Sequence, residues 1–207
     1  MEARAYLDRT EHAVRHFYAG LDSCWQVYEQ ALEHWDMSRI GKPLTDQEME
    51  RARKFTEQAG QYFYLKFSEG TLAGAIVQVA ATGIRLFSTN DTIPEDCSEY
   101  VPESAKSIAA YCIGKRMYGL PTGLILYAAR NQYAHWEEDP HKVTANVFRQ
   151  LSFAFRDNLT YDLAFEIGNP SINIYANEIL LGGLNWTTYE RYRQEMEELF
   201  DLEREGD

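Results

Sequence analysis

Cysteine is scarce in this sequence of 207 residues, and the three present, Cys24, Cys97 and Cys112, are odd in number and far apart. No CxxC pair occurs, so neither a disulfide framework nor a zinc ribbon is expected, and a reducing compartment suits the chain. Bases are few: 20 Lys and Arg stand against 32 Asp and Glu, a net charge of −12. That balance argues against a general nucleic-acid coat, whose affinity comes mainly from cations neutralising phosphates. Any nucleic-acid role must use a local patch. Long apolar runs are missing too. The most apolar stretch, 71–87, is interrupted by Gln78 and Arg85 and is expected to be too short to span a bilayer. The opening residues carry no apolar secretory segment, so a cytoplasmic chain without a membrane partner is expected. Glycine-rich phosphate loops, dinucleotide fingerprints and serine-nucleophile elbows are also absent.

What is present is helical patterning in a chain that is 45% apolar, enough for a folded core. Val14, Tyr18, Leu21, Trp25, Tyr28, Leu32 and Trp35 alternate spacings of four and three, which predicts a helix over 9–35. Gly20 inside it costs about 1 kcal/mol against Ala and marks a place for a kink. Thr45 with Glu48 forms a capping-box pattern that opens a second helix. It carries Met49, Ala52, Phe55 and Ala59 and continues toward Phe63 and Phe67. A break is expected at 68–70, after which Leu72, Ala75, Ile76, Val79, Ala80 and Ile84 resume the stripe. Gly70 and Gly74, four apart, suit close helix packing.

The stretch 88–102 reads as a loop, followed by a helix capped by Ser104 with Ile108, Cys112 and Ile113 inward. Gly119-Leu-Pro121 separates it from a helix over 122–137, which Asp139-Pro140 ends because proline cannot continue a helix. Val143, Val147, Leu151 and Ala154 mark the next helix. Residues 172–176 and 179–181 suggest a small C-terminal β-hairpin across Asn177-Glu178. Thr187 with Glu190 then predicts a capped, acidic last helix reaching about residue 202. The expected fold is all-α, an antiparallel helical bundle over 1–160 with an extension over 161–207.

Charge is unevenly spread. Residues 110–160 hold six bases and four acids, whereas 161–207 hold three bases and eleven acids. The one locally basic stretch surrounds the helix over 122–137. There Leu124, Ala128, Asn131 and His135 fall on one stripe, with Asn131 and His135 projecting within roughly 40° of each other on an ideal helix. Arg130 lies at the edge of that stripe, within reach of a long side chain. Buried polar groups need partners, since an unsatisfied one costs about 1–3 kcal/mol, so Asn131 and His135 point to an interface or pocket. The chemistry these groups suit is phosphodiester cleavage without a metal. An imidazole moves protons near neutral pH. A guanidinium stabilises charge developing on the phosphate, and an amide orients either group.

Arg130-Asn131-x-x-x-His135 resembles the Arg-x-x-x-x-His signature of HEPN-domain proteins, including the polar residue after Arg and the Ala before His. An apolar helix leading in, an acidic loop with Pro140 and a following helix agree with it. The resemblance covers about residues 103–160 and extends more weakly to 45–87, giving a HEPN-like core of about 45–160. It implies a homodimer in which two motifs meet in a cleft, acting as a metal-independent endoribonuclease with no cofactor. It further implies a toxin–antitoxin or antiphage-defence setting with an antitoxin or defence partner protein. Carried onto this chain, Arg130, Asn131 and His135 are the catalytic set, with Asn131 supporting. HEPN toxins neutralised by nucleotidyltransferase antitoxins carry Tyr two residues after the His; Glu137 stands there here, which argues against that mode of neutralisation.

Two other readings stay open at the sequence level. One is a non-catalytic HEPN-like nucleotide- or RNA-binding or scaffold module. The other places a metal on His12 and His16, four apart on one helical face. Apart from the functional readings, a purely structural role has Arg130 pair with an acid such as Glu137, while His135 and Asn131 bond each other in a core.

Overall fold

The longest element starts where the capping box places it. In a computed structural model that describes residues 2–32, 43–154, 165–168, 172 and 174–202, Thr45 Oγ1 accepts from the Glu48 N–H, and the Glu48 carboxylate accepts from the Thr45 N–H at 2.7 Å. Both orphan donors of a helix N-terminus are thereby satisfied. From there α2 runs Asp46–Phe87 without interruption. The break expected at 68–70 does not occur. Gly70 stays helical because Ile174 packs directly on it; a Cβ there would lie 2.9 Å from the Ile174 Cβ. The two halves of α2 differ in environment. Met49 and Ala52 on the first half are exposed, while Ala73, Ile76, Val77, Ala80, Ala81 and Ile84 on the second are buried. One 18-residue window of α2 is apolar enough to cross a membrane by length and composition, and half of it is buried inside the bundle.

Helix α1, Ala3–Leu32, lies along α2 and buries Leu7, Val14, Tyr18, Leu21 and Cys24. Gly20 brings the two helices close rather than kinking α1: a Cβ there would stand 2.9 Å from the Leu72 side chain. Trp25 and Leu32 of the expected stripe are partly exposed, and Trp35 lies outside the described residues. After α2 come a loop with a short 3-10 turn, Glu95–Cys97, and a 3-10 helix, Lys106–Tyr111. Ser104 caps neither; Ala105 occupies the cap position, with no side-chain bond. Two-residue strands β1, Arg116–Met117, and β2, Leu120–Pro121, pair antiparallel. Tyr118 and Gly119 between them have φ of 55° and 81°. That pair of left-handed residues makes the tight turn whose twist matches a hairpin.

Helix α3, Thr122–Ala134, is buried along most of its length, and α4, Lys142–Ala154, buries Val143, Val147 and Leu151 as its spacing predicts. The hairpin expected near 172–181 is not formed by the described residues of that stretch. Ile174 and Tyr175 lead instead into a π-helical turn, Glu178–Gly183, and the structure's only ladder among the described residues is the mid-chain β1–β2 pair. Helix α5, Tyr189–Leu199, is capped by Thr188, whose hydroxyl accepts from the Arg191 N–H, one residue later than expected.

One core joins these elements. Trp186 is fully buried, its carbonyl accepting from the Tyr18 hydroxyl at 3.1 Å, and Tyr192 and Met196 of α5 sit in the same cluster as Leu21 and Ile84. Each such large apolar side chain contributes about 1.5–3 kcal/mol relative to exposure. All three cysteines are buried free thiols. Burial, reinforced by the neighbouring Cys97, pushes the Cys112 thiol up to about 12.

Candidate active site

The C-terminal end of α3 and the N-terminal end of α4 face each other across a short acidic loop, and the reversal at Asp139-Pro140 makes a cleft of about 520 Å³ between them. Asn131, Gln132 and His135 come to it from α3 and its cap, and His141 and Thr144 from the start of α4. Tyr175 and Ile172 close the far wall. That wall is tied to α3 directly, since the Tyr175 N–H donates to the Gln132 side-chain oxygen at 2.9 Å. Trp136 stands at the edge, its ring 5.9 Å from that of Phe67 on α2 in an edge-on contact.

Asn131 and His135 share this cleft, as their stripe implies, though not by the expected helical geometry. Helix α3 ends at Ala134 rather than near 137, and His135 is its C-cap, with φ −133° and ψ 36°. Its N–H still closes the last turn on the Asn131 carbonyl at 3.0 Å, while its side chain leaves the helix surface. The imidazole is 45% exposed and its Nδ1 donates to the Glu138 carboxylate at 3.1 Å. A carboxylate can only accept, so Nδ1 carries a proton in this bond and Nε2 is the ring nitrogen left for other partners.

Arg130 is held differently. Its Nε donates to Gln78 Oε1 of α2 at 3.1 Å and its Nη1 to Asn131 Oδ1 at 2.9 Å. The guanidinium therefore stands behind Asn131 rather than on the cleft wall. It also opposes the upward shift that burial imposes on the neighbouring Tyr111 phenol. With its oxygen taken by Arg130, Asn131 has its NH2 group to offer the cleft. Neither bond of the packing alternative is present: Arg130 pairs with two amides rather than Glu137, and His135 with Glu138 rather than Asn131.

Sequence reasoning missed His141, Thr144 and Glu138. The rings of His135 and His141 lie 6.2 Å apart, nearly perpendicular. The signal was the Asp139-Pro140 turn, which reverses the chain and returns residue 141 beside 135. Thr144 is buried with its hydroxyl unpartnered. Of the bases in the locally basic stretch, Lys115 pairs with Glu195 and Arg116 with Asp96. His12 and His16 stack at 4.2 Å on α1, and the described residues contain no group of three or more His, Cys, Asp or Glu arranged to hold a metal ion. No family model, curated protein or solved structure matches this chain.

Proposed function

We propose that this protein is a metal-independent endoribonuclease of the HEPN type, with its site in the α3–α4 cleft. The observation that carries the reading is the meeting of an amide and an accessible imidazole, Asn131 and His135, in one open cleft with a guanidinium fixed directly behind the amide. In this reading His135 moves the proton of a ribose 2′-hydroxyl, Asn131 holds a phosphate oxygen through its NH2, and Arg130 orients Asn131 and supplies positive charge. Glu138 keeps the imidazole in the tautomer that can accept a proton, as a carboxylate partner does for a histidine base. The edge-on pair of Phe67 and Trp136 at the rim offers aromatic surface on which an RNA base can stack.

The proposal includes a homodimer, acting in the cytoplasm in a toxin–antitoxin or antiphage-defence setting. Support for the dimer is the resemblance of the motif together with the apolar side chains left open at the cleft's edge, Phe67 and Trp136. Native mass spectrometry is expected to give twice the chain mass; a strict monomer at micromolar concentration would remove the dimeric part of the proposal. The ribonuclease itself is tested by incubating the purified protein with total RNA in EDTA. Discrete fragments on a gel are expected. Intact RNA with a folded protein would favour the non-catalytic binding or scaffold module.

A further inference from the structure

The geometry points to His141 as a second catalytic residue of this cleft, the general acid that protonates the leaving 5′-oxygen, so that one chain holds both proton-transfer groups. This rests on the ribonuclease reading above. Cleavage through the 2′-hydroxyl needs two proton movements. The 2′-oxygen forms a bond to phosphorus as its proton leaves to a base, and the bond from phosphorus to the 5′-oxygen breaks as that oxygen gains a proton from an acid. The products are a 2′,3′-cyclic phosphate and a 5′-hydroxyl, and the two groups exchange protonation states with no other reactant consumed. His135 supplies one of these movements, and the other falls to His141 of the same chain rather than to the motif of a second copy.

Three observations place the other on His141. First, its ring lies 6.2 Å from the His135 ring, and both line the same cleft. A phosphate between them can meet each ring through a hydrogen bond of about 2.6–3.2 Å. Second, the His135 ring is engaged by Glu138, which suits the base role, whereas the His141 ring is exposed and makes no hydrogen bond among the described residues, leaving its nitrogens open to substrate. Third, the floor between the rings is built for an anion. The cleft lies over the N-terminus of α4, a helix of 13 residues whose first N–H groups have no intrahelical partner. Thr144 in that first turn is 1% exposed, and its hydroxyl has no partner among the described residues. Thr144 also lines the cleft, so a rotation of its side chain would turn that hydroxyl toward a bound phosphate oxygen.

The charged groups around the pair are Glu138 and Asp139 on the loop, Lys142 at the start of α4 and Arg130 behind Asn131. Of the segment opposite, the described residues Ile167, Gly168, Ile172 and Tyr175 line the cleft and carry no charge. Glu138 is engaged by His135, and Asp139 stands on the exposed rim.

The test separates an acid from a binding group. An oligoribonucleotide that the wild type cuts is compared with the same strand carrying sulfur in place of the bridging 5′-oxygen at the cut position, because a thiolate leaves without a proton. H141Q is expected to cut the all-oxygen strand at least about 100-fold more slowly, the lower end of what general acid–base catalysis supplies. It is expected to cut the sulfur strand within a few-fold of the wild type. H135A is expected to lose both. If H141Q cuts the all-oxygen strand like the wild type, or loses both strands equally, His141 is not the acid, while the ribonuclease reading stands. If the wild type cuts neither strand nor any other RNA, that reading fails and takes this inference with it.

Discussion

Replacing His135 with alanine is expected to abolish RNA cleavage while leaving the fold intact. The side chain is 45% exposed, makes one hydrogen bond to an exposed carboxylate, and contributes nothing to the apolar core. Its structural role as helix cap is carried by the backbone N–H, which alanine keeps. Losing the proton-transfer group should lower the cleavage rate by about 10²–10⁴-fold, with the melting temperature within a few degrees of the wild type. Rates on RNA in EDTA, with a thermal melt of each protein, check this. Asn131→Ala makes a less clean experiment. That side chain is buried and accepts from Arg130, so its removal strands a half-buried guanidinium as well as a catalytic amide. H135A cleaving at the wild-type rate would move the balance to the binding module.

Gly74→Ala is expected to destabilise the protein by about 1–3 kcal/mol, against the ordinary helix preference. An alanine in place of a mid-helix glycine normally gains about 0.5–1 kcal/mol, because glycine gives up more backbone freedom on folding. At Gly74 that gain is overwhelmed. The new Cβ would fall 2.2–2.6 Å from three ring carbons of Tyr133 on α3, closer than any packed contact, so the ring or the whole of α3 must move. Gly60, on the same helix, has nothing within 4 Å of such a Cβ, and Gly60→Ala is expected to stabilise by about 0.5–1 kcal/mol. Urea midpoints of the two variants should therefore shift in opposite directions. Helix α3 carries Asn131 and ends at His135, so Gly74→Ala should also slow RNA cleavage, where Gly60→Ala should not. A stabilised Gly74→Ala would mean that α2 and α3 do not pack as described.

The contrast between these two glycines shows what was legible in the sequence. Gly70 and Gly74, spaced one turn apart, read as a close-packing pair, and both meet side chains that leave no room for a methyl group. Local signals of that kind carried through: the Thr45–Glu48 capping box, and the Val143–Val147–Leu151 stripe. Signals that needed a tertiary partner did not. The break expected at 68–70 is overridden by Ile174 packing on Gly70, and the proposed C-terminal strands are replaced by a π-turn whose Ile179 and Leu180 are buried in the core. The cap of α5 shifted from Thr187 to Thr188 because either hydroxyl fits the local pattern, and the fold chooses which one faces the helix end.

The candidate site divides the same way. Asn131 and His135 were visible because the sequence spaces them as one stripe, although His135 is the cap of α3 rather than part of it. Arg130 was visible as a residue but not in its placement, since its partner Gln78 comes from α2, 52 positions away. His141 and Thr144 were not visible at all. They lie just before and within the first turn of another helix, and only the turn through Asp139-Pro140 brings them to the cleft.

The chemistry at the cut tests the central claim most directly. RNA fragments produced by the wild type in EDTA would be measured by mass for the groups at their new ends. Attack by the 2′-hydroxyl leaves a 2′,3′-cyclic phosphate on the upstream fragment and a 5′-hydroxyl on the downstream one, and those masses are expected. Fragments ending in a 3′-hydroxyl and a 5′-phosphate, the products of attack by water on the other side of phosphorus, would contradict it.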